Sequence, residues 1–304
     1  MRRQRSGLIQ GIGDDCAVLR VPKGHEVLIT TDFSLEGVHF RRDWHPPEVV
    51  GHRCLTRGLS DIAAMGGEPR AAFLSLALPP KLQQSWVDRF LEGFLKLAKK
   101  FNLPLAGGDT AESPGGVLAD IIVLGSVPKG KALLRSGARP GDRLYVTGEL
   151  GGSAAAIEGL IRGTAKIRPE EYPQHFHPLP RIQVGRILRE KNIASAMIDI
   201  SDGLSTDLTH LCEESGVGAE IRSEAIPRAK VGKEQSEVDL RLALHGGDDY
   251  ELLFTAPTNK RVPGRIAGVP VTLIGHVTRY KRMVLTQGGA RHVLKPQGWE
   301  HFRS

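Results

Sequence analysis

The chain has 304 residues, of which 40% are hydrophobic and 25% are charged. A chain of this length and composition buries a core without disulfide or metal staples, which excludes a disordered tail, a fibrous repeat and a small stapled scaffold. Its 41 Lys and Arg exceed its 34 Asp and Glu, giving a net charge of +7, but only 5% of residues are aromatic. Nucleic-acid-binding proteins stack bases on aromatic side chains, and this chain has few of them, so we expect no nucleic-acid partner.

The cysteines indicate a reducing compartment. Cys16, Cys54 and Cys212 lie far apart and form no Cys-x-x-Cys pair, so neither a disulfide framework nor a zinc site is indicated. No apolar stretch approaches the ~20 residues that span a bilayer, and the hydrophobic region of a signal peptide does not follow the first basic residues. We therefore expect a cytoplasmic protein with no membrane partner.

The first half of the chain is predicted to mix strands and helices. The apolar run Val27–Ile29 predicts a buried strand that ends in polar residues. Apolar residues at helical spacing then predict a helix over residues 47–65, followed by two glycines. Alternation over residues 72–78 predicts a strand, and the next helix carries aromatic residues on one face, which we interpret as core. Another apolar strand is predicted over residues 118–127.

A break rich in Gly, Lys, Arg and Pro separates the two halves of the chain at residues 128–141. We place an N-terminal domain over residues 1–135 and a C-terminal domain over residues 136–304. The second domain restarts with a strand, a Gly-rich loop and an Ala-rich helix. Further along, the predicted strand Met197–Ile200 leads through the turn Ser201–Gly203 into another helix.

Aspartates recur at or just beyond the ends of predicted strands, usually beside glycine or a hydroxyl residue. The five cases are Gly13-Asp14-Asp15, Thr30-Thr31-Asp32, Gly107-Gly108-Asp109, Asp199-Ile200-Ser201-Asp202 and Gly246-Gly247-Asp248-Asp249. A single case is typical of an ordinary turn or helix cap, but five together are harder to explain in that way. Oxygen ligands of this kind suit Mg²⁺, which is held by one or two carboxylates, waters and substrate phosphates. The pattern therefore predicts a magnesium site for phosphate chemistry.

Asp61 stands inside the predicted helix over residues 47–65, in a stretch of small residues. A solvated helical aspartate is one interpretation. Because Ala63, Ala64 and Gly66 permit close backbone approach, a ligand of a shared metal cluster is the other. The residues alone leave both open.

Seven ordered blocks resemble the thiamine-monophosphate kinase family, within the aminoimidazole-ribonucleotide-synthetase-like (PurM-like) superfamily of ATP-binding proteins. The blocks are Gly11–Ala17, Thr31–Asp32 with Glu36–Phe40, Leu59–Gly66, Gly107–Thr110, Arg135–Ala138, Ile198–Leu204 and Asp249–Leu252. The resemblance implies a two-domain PurM-like α+β fold. An N-terminal mixed sheet with helices on one face would bind ATP and Mg²⁺ and dimerise, and an α/β C-terminal domain would complete the nucleotide and substrate site.

The resemblance also implies a reaction. ATP would phosphorylate thiamine monophosphate to thiamine diphosphate by direct in-line transfer, assisted by several Mg²⁺ ions, in a homodimer. Because the acceptor phosphate is already ionised, no general base is required and positioning carries the rate.

Roles carry over residue by residue from this resemblance. The residues that resemble the magnesium shell are Asp15, Thr30, Thr31, Asp32, Asp61, Asp109, Asp199 and Asp202. Those that resemble ATP contacts are Gly108, Asp109, Arg135 and Ser201, and those that resemble contacts to the thiamine phosphate are His39, Asp248 and Trp299. The residues expected to act in catalysis are Asp32, Asp61, Asp109, Arg135 and Asp202.

Two rival interpretations remain. Another PurM-like enzyme with a different acceptor shares ATP and Mg²⁺, and Asp248 stands where the thiamine-monophosphate kinase family usually has Glu. The members that need a reactive cysteine fit badly, because Cys16 lies inside a predicted strand and no cysteine follows Cys212. A non-catalytic module that binds nucleotides or nucleic acid through its +7 charge is the second rival, and it predicts salt-dependent binding without turnover.

Overall fold

A computed structural model describes residues 7–163 and 167–299 of the chain. The outermost residues of the two predicted domains, 1–6 and 300–304, lie outside the described residues. Within those described ranges, no helix is long and apolar enough to cross a membrane.

The chain separates into two compact units. The first consists of the described residues up to Ile62 together with Gly67–Ala132. The second consists of Ala63–Gly66 together with the described residues from Leu133 onward. The functional boundary at residue 135 stays a prediction.

The first unit is built on a four-stranded sheet. Its elements are β1 (Leu8–Gln10), β2 (Val18–Leu19), β3 (His25–Leu35), α1 (Pro47–Ala64), β4 (Glu68–Leu78), α2 (Gln84–Lys100), β5 (Leu105–Glu112) and β6 (Leu118–Pro128). The strand order is β3-β6-β4-β5, in which β6 is antiparallel to β3 and β4, and β5 is parallel to β4. The predicted mixed sheet is confirmed.

The two long helices bury the apolar stripes that the sequence predicts. On α1, Leu55, Leu59 and Ile62 are at most 1% exposed, and on α2 Phe90 and Phe94 are completely buried. Each such side chain contributes about 1.5–3 kcal/mol relative to an exposed one. The aromatic residues of α2 are therefore core, as predicted, and α1 ends one residue before its predicted end.

One face of β3, called here the open sheet face, is exposed and carries mostly apolar side chains. Successive side chains of a strand point to opposite faces, so Val27, Ile29 and Phe33 of β3 share one face. They are 45%, 70% and 54% exposed, so the prediction that the strand at Val27–Ile29 is buried is wrong for this face. The next residue along, Ser34, is only 3% exposed, so the buried face of β3 is the other one.

The second unit is built on an eight-stranded sheet. Its strands are β7 (Arg143–Thr147), β8 (Ala196–Ile200), β9 (Gly218–Arg222), β12 (Glu251–Ala256), β13 (Arg265–Ile266), β14 (Val269–Thr278), β15 (Met283–Gln287) and β16 (Ala290–Val293), and β10 (Lys230–Val231) pairs separately with β11 (Ser236–Glu237). Its α-helices are α3 (Gly152–Arg162), α4 (Pro173–Phe176), α5 (Ile182–Glu190), α6 (Leu204–Ser215) and α7 (Leu240–His245). The order is β16-β15-β9-β14-β7-β12-β8, with β13 paired to β14.

Three predicted strand positions are wrong. The strand that was expected to end at Thr30–Asp32 continues to Leu35, because β3 pairs with β6 along its whole length. Asp109 likewise lies inside β5 rather than after it. The apolar runs stop where side chains become polar, but main-chain pairing does not. Cys16 lies outside any strand and is exposed, since β2 begins only at Val18.

Candidate active site

In the first unit, the structure brings Thr30 and Asp61 together. The Thr30 hydroxyl donates a hydrogen bond to Asp61 Oδ2 on α1. Asp32 follows two residues after Thr30 on β3 and therefore lies on the same face of the strand. All three are partly buried. Asp61 is thus a carboxylate packed against β3 rather than a solvated helical residue. Its role as a metal ligand stays a prediction.

Thr31 lies on the opposite face of β3 from Thr30. Its hydroxyl donates to Asp120 Oδ1 at 2.8 Å, across to β6. Because side chains alternate along the strand, the hydroxyls of Thr30 and Thr31 do not share a site. Asp120 was not predicted as a site residue. The only signal for it in the sequence is an acidic residue inside an otherwise apolar strand.

Gly108 on β5 lies opposite Leu74 on β4. A Cβ atom there would lie 1.9 Å from the carbonyl oxygen of Leu74, so only glycine fits. The next residue, Asp109, is exposed on this edge strand, and its Oδ1 accepts from the N–H of Thr110 at 2.8 Å. Asp15 is exposed in the loop between β1 and β2, where its N–H donates to Asp14 Oδ1 at 3.0 Å.

His39 has a defined ring orientation in the turn after β3. Its Nδ1 accepts a hydrogen bond from the N–H of Leu35 at 3.0 Å. In the neutral ring this places the proton on Nε2, which is therefore the donor side of the imidazole.

In the second unit, the turn Ser201–Gly203 connects β8 to α6. The carboxylate oxygen Oδ2 of Asp207 accepts from the N–H groups of Ser201, Asp202 and Gly203 at 3.1, 3.1 and 3.0 Å. Asp207 is 2% exposed. Burial raises the pKa of its carboxyl well above the usual value, and the charges of Asp199 and Asp202 raise it further. Asp199, Asp202 and Asp207 therefore form one acidic cluster.

The carbonyl groups of the same turn hold two of the three predicted substrate residues, Asp248 and Trp299. The N–H of Asp248 donates to Ser201 O at 2.8 Å, and the N–H of Trp299 donates to Asp202 O at 3.0 Å. A Cβ atom at Gly298 would lie 2.0 Å from Asp202 O, so glycine is required for this approach. The Trp299 residue is 51% exposed. Asp202, Ser201, Asp248 and Trp299 are thus neighbours.

Asp248 lies in a strained loop. Asp248 and Tyr250 have φ values of +63° and +53°, which cost about 1–3 kcal/mol each in residues other than glycine. Tyr250 is buried, and its hydroxyl donates a hydrogen bond to Asp248 Oδ1. The main-chain N–H of Tyr250 donates to Ile200 O at 2.8 Å. Tyr250 therefore fixes the orientation of the Asp248 carboxylate. Sequence analysis missed Tyr250 and Asp207, and nothing in their spacing identifies their partners.

Arg135 is exposed, and Ser215 holds the loop around it. The Ser215 hydroxyl donates to Arg135 O at 2.8 Å and accepts from the N–H groups of Gly137 and Ala138 at 3.2 and 3.1 Å. Within the described part of the chain, the Arg135 guanidinium makes no ion pair with a carboxylate.

Other buried acids support the loop before α3. Asp249 Oδ2 accepts from the N–H of Gly151 at 2.8 Å, and burial raises the pKa of this carboxyl well above its usual value. Glu251 is 3% exposed and pairs with Arg181 through both carboxylate oxygens. It also accepts from the Thr147 hydroxyl at 2.6 Å.

The donor atoms in both units are oxygens. Among residues 7–163 and 167–299, no three His, Cys, Asp or Glu side chains form a group that could hold a metal ion. Mg²⁺ needs only one or two carboxylates besides water and phosphate, and the carboxylates and hydroxyl described above fit it better than zinc. The eight-residue magnesium shell stays a prediction.

Comparisons with known proteins identify the class. Residues 13–127 match the family model of AIR synthase related protein, N-terminal domain, and residues 139–287 match that of the C-terminal domain. Together with the two units, this defines an AIR-synthase-related protein of two domains.

The relatives narrow that class to one family. The thiamine-monophosphate kinase of Salmonella typhimurium is 38% identical over 315 residues, which cover 99% of this chain and 94% of that protein. The crystal structure of thiamine-monophosphate kinase from Stenotrophomonas maltophilia K279a has a TM-score of 0.83 at 31% identity, covering 95% of this chain and 96% of that one. The structure of AaThiL complexed with AMPPCP and TMP has a TM-score of 0.81 at 34% identity, covering 96% and 92%. The chain belongs to the thiamine-monophosphate kinase family.

Proposed function

We propose that this protein transfers the γ-phosphoryl group of ATP to thiamine monophosphate, giving thiamine diphosphate and ADP. The observation that carries the proposal is its near-full-length similarity to thiamine-monophosphate kinases, one of them described as complexed with AMPPCP and TMP. The acidic cluster and the exposed Arg135 support it, because polyphosphate substrates need both metal ligands and cationic side chains.

The site must offset the repulsion between the negatively charged phosphates of its two substrates. Two unit charges 4 Å apart repel by about 4 kcal/mol at an effective dielectric of 20, and ATP and thiamine monophosphate bring several such charges together. Bound Mg²⁺ ions would neutralise them. We propose that Asp32 and Asp61 with the Thr30 hydroxyl, and Asp199 and Asp202, supply oxygens to these ions. Asp15 and Asp109 remain predicted ligands, whereas the hydroxyl of Thr31, the other predicted ligand, faces away from this group.

The chain's own groups then orient the two substrates. Arg135 contacts the ATP phosphates, with Ser201 and Gly108 beside them, and His39 Nε2 donates to the acceptor phosphate. Thiamine carries a positive thiazolium ring, for which the exposed face of Trp299 and the Asp248 carboxylate are complementary in charge. In-line attack by the ionised acceptor phosphate needs no general base, so holding the two phosphates in line is the main contribution.

We also propose that two copies associate through the open sheet face of the N-terminal domain, residues 1–135. Val27, Ile29 and Phe33 expose apolar side chains there, and exposed apolar patches mark interaction sites. A reducing cytoplasm fits the three free cysteines.

Incubation of the purified protein with ATP, Mg²⁺ and thiamine monophosphate tests the proposal, with thiamine diphosphate measured as its fluorescent thiochrome derivative. The expected result is equal amounts of thiamine diphosphate and ADP. ADP formation only with a different acceptor would leave an ATP-dependent PurM-like enzyme and contradict the substrate. Steeply salt-dependent nucleic-acid binding without turnover would favour the non-catalytic rival.

A further inference from the structure

Asp207 has more partners than a helix cap requires. In a capping box, an acid in the first turn reaches back to the N–H of the N-cap residue. The N-cap of α6 is Gly203, and its N–H accounts for one of the three hydrogen bonds that Asp207 Oδ2 accepts. The other two come from Ser201 and Asp202, which precede the helix. Capping therefore explains only part of the contact.

The three N–H groups converge on a single oxygen. Consecutive main-chain N–H groups arranged in this way form a concave anion site. Here the acceptor is a carboxyl oxygen of the same protein, and it is buried. Without it the three donors lose their acceptor, and buried donors without a partner are unfavourable. The conformation of the turn thus depends on the Asp207 carboxylate.

The carbonyl groups of the turn hold Asp248 and Trp299, two of the three predicted substrate residues. Ser201 O and Asp202 O accept from the N–H groups of Asp248 and Trp299. The first turn of α6 adds a further anchor, since the Thr206 hydroxyl accepts from the N–H of Gly298 at 3.0 Å. A shift of the turn therefore moves the side chain of Asp202 and both substrate anchors together.

We propose that Asp207 is a positioning residue that holds the turn Ser201–Gly203 and, through it, Asp202, Asp248 and Trp299 in one arrangement. The proposal rests on the function proposed above, because that function gives Asp202, Asp248 and Trp299 their roles. Asp207 itself contacts neither substrate. Outer residues that orient metal ligands typically change metal affinity or activity by about 10- to 100-fold when they are replaced.

The chain offers a matched control. Asp142 is also buried in the second unit, at 6% exposure, and its Oδ2 also holds a turn, accepting from Arg139 N–H at 3.0 Å and from the Ser195 hydroxyl at 2.7 Å. Neither partner is a predicted site residue. Replacement of Asp142 therefore reports what the loss of a buried turn-holding carboxylate does by itself.

The first measurement needs no substrate. Amide hydrogen exchange at Ser201, Asp202 and Gly203 is compared in the wild type, Asp207→Asn, Asp207→Ala and Asp142→Asn. We expect these three amides to exchange about tenfold faster or more in Asp207→Ala, which corresponds to the loss of roughly one hydrogen bond. Asp207→Asn keeps a carbonyl oxygen and should exchange at an intermediate rate, and Asp142→Asn should exchange there like the wild type.

The second measurement is kinetic. The Mg²⁺ concentration for half-maximal activity and the KM for thiamine monophosphate should rise by about 10- to 100-fold in Asp207→Ala and less in Asp207→Asn. Asp142→Asn should leave both unchanged. If Asp207→Ala does not fold, the comparison of Asp207→Asn with Asp142→Asn carries the test.

The outcomes separate the two proposals. Unchanged exchange in folded Asp207 variants would overturn the positioning role, and so would an equal kinetic change in Asp142→Asn. A wild type that makes no thiamine diphosphate would overturn the proposed function, while the exchange data would still decide whether Asp207 holds the turn.

Discussion

Replacing Tyr250 with Phe tests whether the orientation of the Asp248 carboxylate matters for binding thiamine monophosphate. The change removes only the hydroxyl that donates to Asp248 Oδ1 and keeps the buried ring. A hydrogen bond to a charged group is worth about 1.5–3 kcal/mol, and because Asp248 is partly exposed, water recovers some of this, leaving about 1–2 kcal/mol. At about 1.4 kcal/mol for each factor of ten, the KM for thiamine monophosphate should rise about 5- to 30-fold.

The assay is steady-state formation of thiamine diphosphate with each substrate varied in turn. The KM for ATP should not change, because Tyr250 contacts the side chain of Asp248 and not that of Ser201. Tyr145→Phe is the matched control, since Tyr145 is a buried tyrosine of the same unit that stacks on Phe254. An unchanged KM for thiamine monophosphate in Tyr250→Phe would refute the inference that Asp248 binds this substrate in the orientation that Tyr250 fixes.

Three further predictions follow from burial and charge. Ile29→Glu places a charge on the open apolar face and should convert a dimer into a monomer in sedimentation experiments. Burial raises the pKa of the Cys54 and Cys212 thiols to about 12, so only Cys16 should react rapidly with a thiol reagent in the native protein. The pKa of the Asp249 carboxyl is higher in the folded protein than its value of about 4 in the unfolded chain. Its contribution to the free energy of unfolding is therefore fully present below the unfolded pKa and is lost as pH rises through the folded pKa. Asp249→Asn removes this dependence, so its unfolding free energy relative to the wild type should increase with pH.

Each of these predictions has a control or a contradicting result. Leu95→Glu changes an apolar residue of α2 that is also exposed, and it should leave the dimer intact. Rapid labelling of three thiols in the native protein would contradict the burial of two of them. A pH-independent difference between wild type and Asp249→Asn would contradict the raised pKa of Asp249.

Periodic patterns in the sequence predicted the elements, and local spacing did not predict the contacts between them. The apolar stripe of α1 and the aromatic core of α2 follow from helical spacing, because burial repeats with the helix period. The extent of β3 past Asp32 does not, because it depends on pairing with β6, which is distant in the chain.

In the candidate site, too, local sequence patterns predicted residues but not the contacts between them. Most of the aspartates were found because they stand beside glycine or a hydroxyl residue in short blocks, which the local sequence displays. Asp207 and Tyr250 were missed because their significance lies in the atoms they contact: three N–H groups of a turn and one carboxylate. That Thr31 faces away from Thr30 required the strand itself, since the predicted strand ended before alternation could be applied.

In the function proposed here, the carboxylates of Asp32, Asp61, Asp199 and Asp202 hold the divalent cations required for phosphoryl transfer to thiamine monophosphate. The most direct test measures thiamine diphosphate formation against Mg²⁺ concentration in the wild type and in Asp61→Asn, with circular dichroism to verify the fold. We expect magnesium-dependent product from the wild type and a loss of activity in a folded Asp61→Asn protein that added Mg²⁺ restores only in part. Equal turnover of the two proteins at every Mg²⁺ concentration would contradict the claim.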